Sequence, residues 1–195
     1  GRHGGCLINR GKLLIDNSSL SSNGDQNSGF IHGWGGSTTR IKNSVLADLG
    51  RADYRANGVS VARHRYQGAG APAQLFIHDS RFSNLHRGVD AEAGSRVSIV
   101  NLSISASREQ GVVLYNSPAH IERLQVSDSK GHGLRAGGNR TISIADSQLQ
   151  NNGGSGLLLE DHTGEIHISQ VASLNNQEYG IQIKSQRGQQ ITLMD

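Results

Sequence analysis

Residues 88–111 read GVDAEAGSRVSIVNLSISASREQG, and this stretch decides the fold. It holds a glycine, a short apolar strand, a small-residue turn, a second strand of alternating residues, an asparagine at a corner, and a short third strand before the next glycine. The downstream chain repeats that order. Aligning on the glycine ahead of each apolar pair gives Gly29, Gly58, Gly88, Gly111, Gly133, Gly156 and Gly180, at intervals of 29, 30, 23, 22, 23 and 24 residues. A period in the low twenties, built of strand and turn signals with no helical pattern, marks a solenoid.

Successive strand residues point to opposite sides, so each copy divides into inward and outward positions. The first strand puts Val59 and Val61, Val89 and Ala91, Val112 and Leu114, Leu134 and Ala136, Leu157 and Leu159, and Ile181 and Ile183 inside. The second strand contributes an inward isoleucine, such as Ile41, Ile99 or Ile144. Two residues beyond it stands a corner residue: Asn17, Asn43, Asp79, Asn101 or Asp146, with Arg123 and Gln170 as exceptions. Asn and Asp suit such a corner because they tolerate left-handed backbone and bond locally. The third strand carries Leu20, Leu46, Phe82, Ile104, Val126, Leu149 and Leu174. Like strands should stack in parallel, about 4.8 Å apart. An antiparallel sandwich of short strands is the alternative, and the fixed phase of seven glycines argues against it.

The glycine-plus-apolar first strand, the Asn or Asp corner and the period resemble the right-handed parallel β-helix of the pectate-lyase-like superfamily. The resemblance implies an all-β, single-stranded right-handed parallel β-helix solenoid of about seven coils of 22–30 residues, forming one domain over residues 1–195. That architecture hosts polysaccharide lyases, hydrolases, epimerases, phage tailspikes and adhesins, so function must come from the site.

The chain has 195 residues, with 26 glycines assigned to turns and 2 prolines. A net charge of +3 is too slight to argue for nucleic acid, while a pI near 9.3 permits an acidic polymer as ligand. Cys6 is the single cysteine, which excludes an internal disulfide and Cys-pair zinc or redox motifs. No run approaches the roughly 18 apolar residues of a membrane span, and Gly1 opens no signal-peptide pattern. Terminal repeats of solenoids usually need a cap, yet GRHGG runs straight into strand-like CLIN. The expectation is a piece of a longer chain from the cell envelope or secreted space, with an oligomer compatible with the architecture.

Two turns are longer than the rest, and both additions flank strand 59–61. Ile41 to Gly58 is 17 residues against 12 for Ile99 to Gly111, and Gly58 to Ile77 is 19 against 11 for Gly88 to Ile99. Insertions of this kind map to loops, often on the binding face. The first brings Arg51, Asp53, Tyr54 and Arg55; the second brings Arg63, His64, Arg65 and Tyr66. Arginine forks match carboxylates bidentately, and tyrosines stack on sugar rings while donating a hydrogen bond.

The floor between these walls comes from outward positions: Ser60, Asp90, Glu92, Val113, Tyr115, Arg135, Leu158, Glu160, Gln182 and Lys184. Asp90 and Glu92 lie two apart on one strand, about 6.8 Å between Cα atoms. Carboxyls about 6.5–9.5 Å apart serve an inverting glycosidase. Paired acids can also hold Ca²⁺, or simply pair with Arg87 or Arg135. Scattered histidines lack metal spacing, so no protein-metal site is assigned beyond that Ca²⁺ option. Gly131-His132-Gly133 is similar to the GHG segment of polygalacturonases, but the Asp-Asp pair that accompanies it there is missing, and His132 reads as a turn residue.

The expected function is a carbohydrate-active β-helix working on an extracellular acidic polysaccharide. In a hydrolase, Asp90 and Glu92 share acid and base roles. In a lyase or epimerase, Arg63, Arg65 or Ca²⁺ neutralises a uronate carboxylate and His64, Tyr66 or Tyr54 takes the neighbouring proton. Arg55, Arg87, Tyr115 and Arg135 complete the substrate contacts. The rival class is a non-catalytic surface β-helix, such as an adhesin, tailspike segment or envelope scaffold, that binds glycans.

Overall fold

The computed structural model describes residues 7–21, 31–48, 57–62, 71–92, 94–138, 140–184 and 191–194. Every described pairing between strands is parallel and joins one coil to the next. The first strands form an eight-stranded sheet running through Leu7–Asn9, Ile31–Trp34, Val59–Ala62, Val89–Ala91, Val112–Tyr115, Leu134–Gly138, Leu157–His162 and Ile181–Lys184. Second and third strands share a twelve-stranded sheet, because in Gln74–Ser83, Arg96–Ser105 and Ala119–Ser127 the strand continues through the corner between them.

The core is a stack of like residues. Val59, Val89, Val112, Leu134 and Leu157 lie in register and fully buried, facing the row of Ile41, Ile77, Ile99, Ile121 and Ile144 from the second strands. Burying each such side chain contributes roughly 1.5–3 kcal/mol. The corner rule holds at all seven positions: Asn17, Asn43, Asp79, Asn101, Arg123, Asp146 and Gln170 have φ between 47° and 55°. The two apparent exceptions therefore take the same left-handed backbone, which is less favourable for Arg and Gln. Asn101 donates from Nδ2 to Asp79 Oδ1 at 2.7 Å, linking neighbouring corners. Just inside the corner, Ser18, Ser44, Ser80 and Ser147 turn their hydroxyls back to the carbonyl two residues earlier. Ser44, Ser80 and Ser147 also accept an amide from the preceding coil.

Two expectations change. The phased glycines are not there for turn geometry, since none from Gly58 to Gly180 has positive φ. Their role is close approach: a Cβ on Gly58, Gly88, Gly111 or Gly133 would sit 2.7 Å from the carbonyl oxygen of the next glycine in the column. That carbonyl accepts the amide of the residue following the glycine below, as in Val89 N–H to Gly111 O at 3.1 Å. Leu174 is the second correction. Leu149 pairs with Ser173, so Leu174 points outward at 51 % exposure, and Ser173 takes the inward place, its hydroxyl donating to Gly180 O at 2.7 Å.

Candidate functional site

The alternation of the first strands aims Ser60, Asp90, Val113 and Arg135 outward in one register row. Ala62, Glu92 and Tyr115 follow one step later. Asp90 and Glu92 are thus on the outside of the cylinder, as the sequence implies, but in different environments. Glu92 is exposed; its amide bonds Val61 O at 2.9 Å, and Ser95 Oγ donates to its carbonyl at 2.7 Å, fixing the turn that carries it. Asp90 is covered, at 8 % exposure.

What covers Asp90 is a polar cluster drawn from three coils. Its Oδ2 accepts from Arg87 Nη1 and from Asn57 Nδ2, both at 2.9 Å. Asn57 Nδ2 also reaches Ser60 Oγ at 3.0 Å. Arg87 continues to Glu109 of the next coil, with Nε and Nη2 at 2.9 and 2.8 Å from Oε2. Burial opposes the Arg87 charge, but Asp90 and Glu109 outweigh it and hold the guanidinium more firmly protonated than usual. His86 Nε2 stands 3.3 Å from the same Glu109 oxygen. Asp90 Oδ1 remains buried without a hydrogen-bond partner, a costly state for a carboxylate oxygen unless a further donor approaches.

Beyond the cluster the outer face is open. Tyr115 is 56 % exposed, its ring lying over Gly137, where a Cβ would come within 3.4 Å of Tyr115 Cδ2. Arg135 pairs with Glu160 of the next coil through Nε and Nη2, at 3.0 and 2.6 Å. Leu158, outward in register, is nevertheless only 2 % exposed and offers no floor. Toward the first coils, Arg10 lies 4.3 Å over the Trp34 ring, and His32 meets Trp34 edge-on with centroids 5.9 Å apart.

The structure brings Arg87 and Asp90 together and places Glu92, Tyr115 and Arg135 on the same face. Tyr54, Arg55, Arg63, His64, Arg65 and Tyr66 lie outside the described residues. Asn57, His86 and Glu109 were not singled out from the sequence. The signal for Glu109 was available: it stands two residues before Gly111, as His86 does before Gly88, so the coil alignment stacks one on the other. Their backbones do meet, Glu109 N–H donating to His86 O at 2.9 Å. His132 is a turn residue as expected. Its Nδ1 accepts the Ser155 amide at 2.9 Å, and its ring fills the space beside Gly154. Among the described residues no group of three or more His, Cys, Asp or Glu is placed to hold a metal ion, so a Ca²⁺ at Asp90 would need donors beyond those acids. No helix among the described residues is long and apolar enough to cross a membrane.

Parallel coils stacked in register and turned at left-handed corners make the molecule a parallel β-helix. The model of the family described as "Right handed beta helix region" matches residues 29–193, and the chain belongs to that family. Among solved structures, it is similar to point mutants of the periplasmic alginate epimerase AlgG, at 17 % identity. One has a TM-score of 0.60 over 95 % of this chain and 54 % of that one, another 0.61 over 96 % and 54 %. The A-module of the Azotobacter vinelandii mannuronan C-5 epimerase AlgE4 aligns at 12 % identity and TM-score 0.51, over 95 % of this chain and 68 % of that one. The chain spans about half the length of the AlgG structures it matches. No curated protein matches its sequence.

Proposed function

We propose that the chain binds and modifies a uronate-containing polysaccharide on the outer face of the first-strand sheet, by chemistry that begins with removal of the proton beside the uronate carboxylate. The observation that carries this reading is the likeness of nearly the whole solenoid to two kinds of alginate or mannuronan epimerase. The covered state of Asp90 supports it from another side. An inverting hydrolase needs both carboxyls open to the glycosidic oxygen and a water, whereas Asp90 is buried and held by Arg87 and Asn57. Asp90 and Arg87 then act as positioning residues beneath the site, and Glu92 and Tyr115 face the polymer.

A proton next to a carboxylate is poorly acidic because its removal places a second negative charge beside the first. A cation on the carboxylate lowers that barrier. Arg55, Arg63 and Arg65 are the candidates for this role, and His64, Tyr66 or Tyr54 for the base, on the grounds of residue type and their position in the two inserted segments. Epimerisation follows when a proton returns to the opposite face of the carbon; elimination follows when the neighbouring glycosidic oxygen leaves instead. The envelope or extracellular space is where such a polymer would be met.

The test is incubation with mannuronan and other uronate polymers, with and without Ca²⁺. Proton NMR reads inversion at carbon 5, absorbance reads unsaturated uronide, and reducing-end assay reads hydrolysis. Inversion or unsaturated product is expected, and Tyr115→Ala should raise KM severalfold while leaving kcat within about twofold, as loss of uniform binding does. Binding without any product would replace this reading by the glycan-binding surface protein, and reducing ends alone would restore the hydrolase.

A further inference from the structure

A second polar surface lies away from the first-strand sheet, at the bend between second and third strands. The corners of Asp79 and Asn101 wall a depression of about 280 Å³ that also takes in Arg81, Ser103 and Gln125. A smaller one of about 50 Å³ shares Ser103 and Gln125 and runs on to Gln148 and Gln150, so the two form one trough along the stack. Arg81, Ser103, Gln125 and Gln148 occupy a single register column on four consecutive coils. The column is bounded at both ends by apolar or small side chains, Val45 below and Ala172 above. Four consecutive polar rungs therefore coincide with the trough, Val45 separating them from Ser19 further down the column.

The chemistry of the rungs is selective. Gln148 donates from Nε2 to Gln150 Oε1 at 2.9 Å, holding the amides in an ordered edge of donors and acceptors, which suits hydroxyl groups. Arg81 is exposed and, among the described residues, forms no ion pair with a carboxylate. Asp79, two residues away, instead accepts from Asn101. One end of the trough thus carries an available cation and the other carries neutral amides. The rungs repeat every 4.8 Å or so, close to the length of one unit in an extended sugar chain. We infer that this trough is a second carbohydrate site, which takes a linear uronate-bearing glycan of about four units lying along the stack, with a carboxylate on Arg81 and hydroxyls on Ser103, Gln125 and Gln148. Its occupation requires no turnover at the first-strand sheet.

The experiment is titration of the ¹⁵N-labelled protein with a mannuronate tetramer, reading the side-chain amides of Gln125, Gln148 and Gln150. These signals should shift together with one Kd. Arg81→Gln should weaken that Kd about tenfold, the share of one charge-assisted contact, and the carboxyl-reduced tetramer on the unaltered protein should show the same loss. Gln125→Ala should weaken both the acidic and the reduced tetramer. Amides that stay still, shifts confined to the first-strand face, or shifts that follow protein concentration without glycan would each overturn the assignment, the last identifying the trough as a contact between copies of this chain. Loss or absence of turnover leaves the readout unchanged, so this proposal and the proposed activity fail separately.

Discussion

The His162 ring is 1 % exposed, at the end of a strand where Asp161 takes φ 47° as an extra residue and Gly138 pairs directly with His162. Neither ring nitrogen makes a well-aligned hydrogen bond. Burial lowers its pKa from the ordinary 6.5, with the Arg140 backbone only partly opposing. Burial likewise lowers His132, against the pull of Glu178. Both rings are therefore neutral in the folded protein where an unfolded chain starts to take up protons. Stability is then fully present above about pH 6.5 and falls as pH drops below it, because the unfolded state binds more protons there. Urea unfolding at pH 7.5 and pH 5 should show this decline. His162→Leu should cost little at pH 7.5, since only a poorly aligned contact with the Arg140 backbone is lost, and should unfold at higher urea than the unaltered protein at pH 5. His132 keeps part of the slope. A variant as acid-sensitive as the parent would remove His162 from this account.

Coils are the elements of this fold, and the glycine column sets how closely they approach. At Gly111 a Cβ would lie 2.7 Å from Gly133 O and also press on a Val126 methyl. Gly111→Ala should therefore destabilise by about 1–3 kcal/mol, as overpacking does, visible as a lower urea midpoint at unchanged m-value. Much of this level was legible in the sequence. The glycine phase located the first strands, and the step of two from the inward isoleucine located the left-handed corner after each second strand, including Arg123 and Gln170, where the residue type gave no hint. Leu174 was misread because ASL offers an apolar residue one place too late. Only the pairing of Leu149 with Ser173 reveals that a hydroxyl fills that inward position. At the candidate site, alternation correctly put Asp90 outside the cylinder. The pairing with Arg87 was among the sequence's alternatives, but the covering was not legible, since it depends on Asn57 converging on the same oxygen and on Glu109, from another coil, fixing that arginine.

For the whole molecule, pairing restricted to adjacent coils makes stability close to a sum of coil terms and nearest-neighbour terms. Gly88→Ala and Gly111→Ala alter successive steps of one column, whereas Gly58 and Gly156 are separated by three intervening glycines of it. A double-mutant cycle should give a coupling of at least about 0.5 kcal/mol for the first pair and additivity within about 0.3–0.5 kcal/mol for the second. Equal coupling in both would indicate a globally cooperative body instead. The two longer connections of the sequence come before and after Val59–Ala62, and that strand still pairs in unbroken register with Ile31–Trp34 and Val89–Ala91. Extra chain length on both sides of that strand therefore leaves the ladder in register. New recognition segments could therefore be grafted onto this scaffold, lengthened or exchanged, without re-engineering the ladder that carries them.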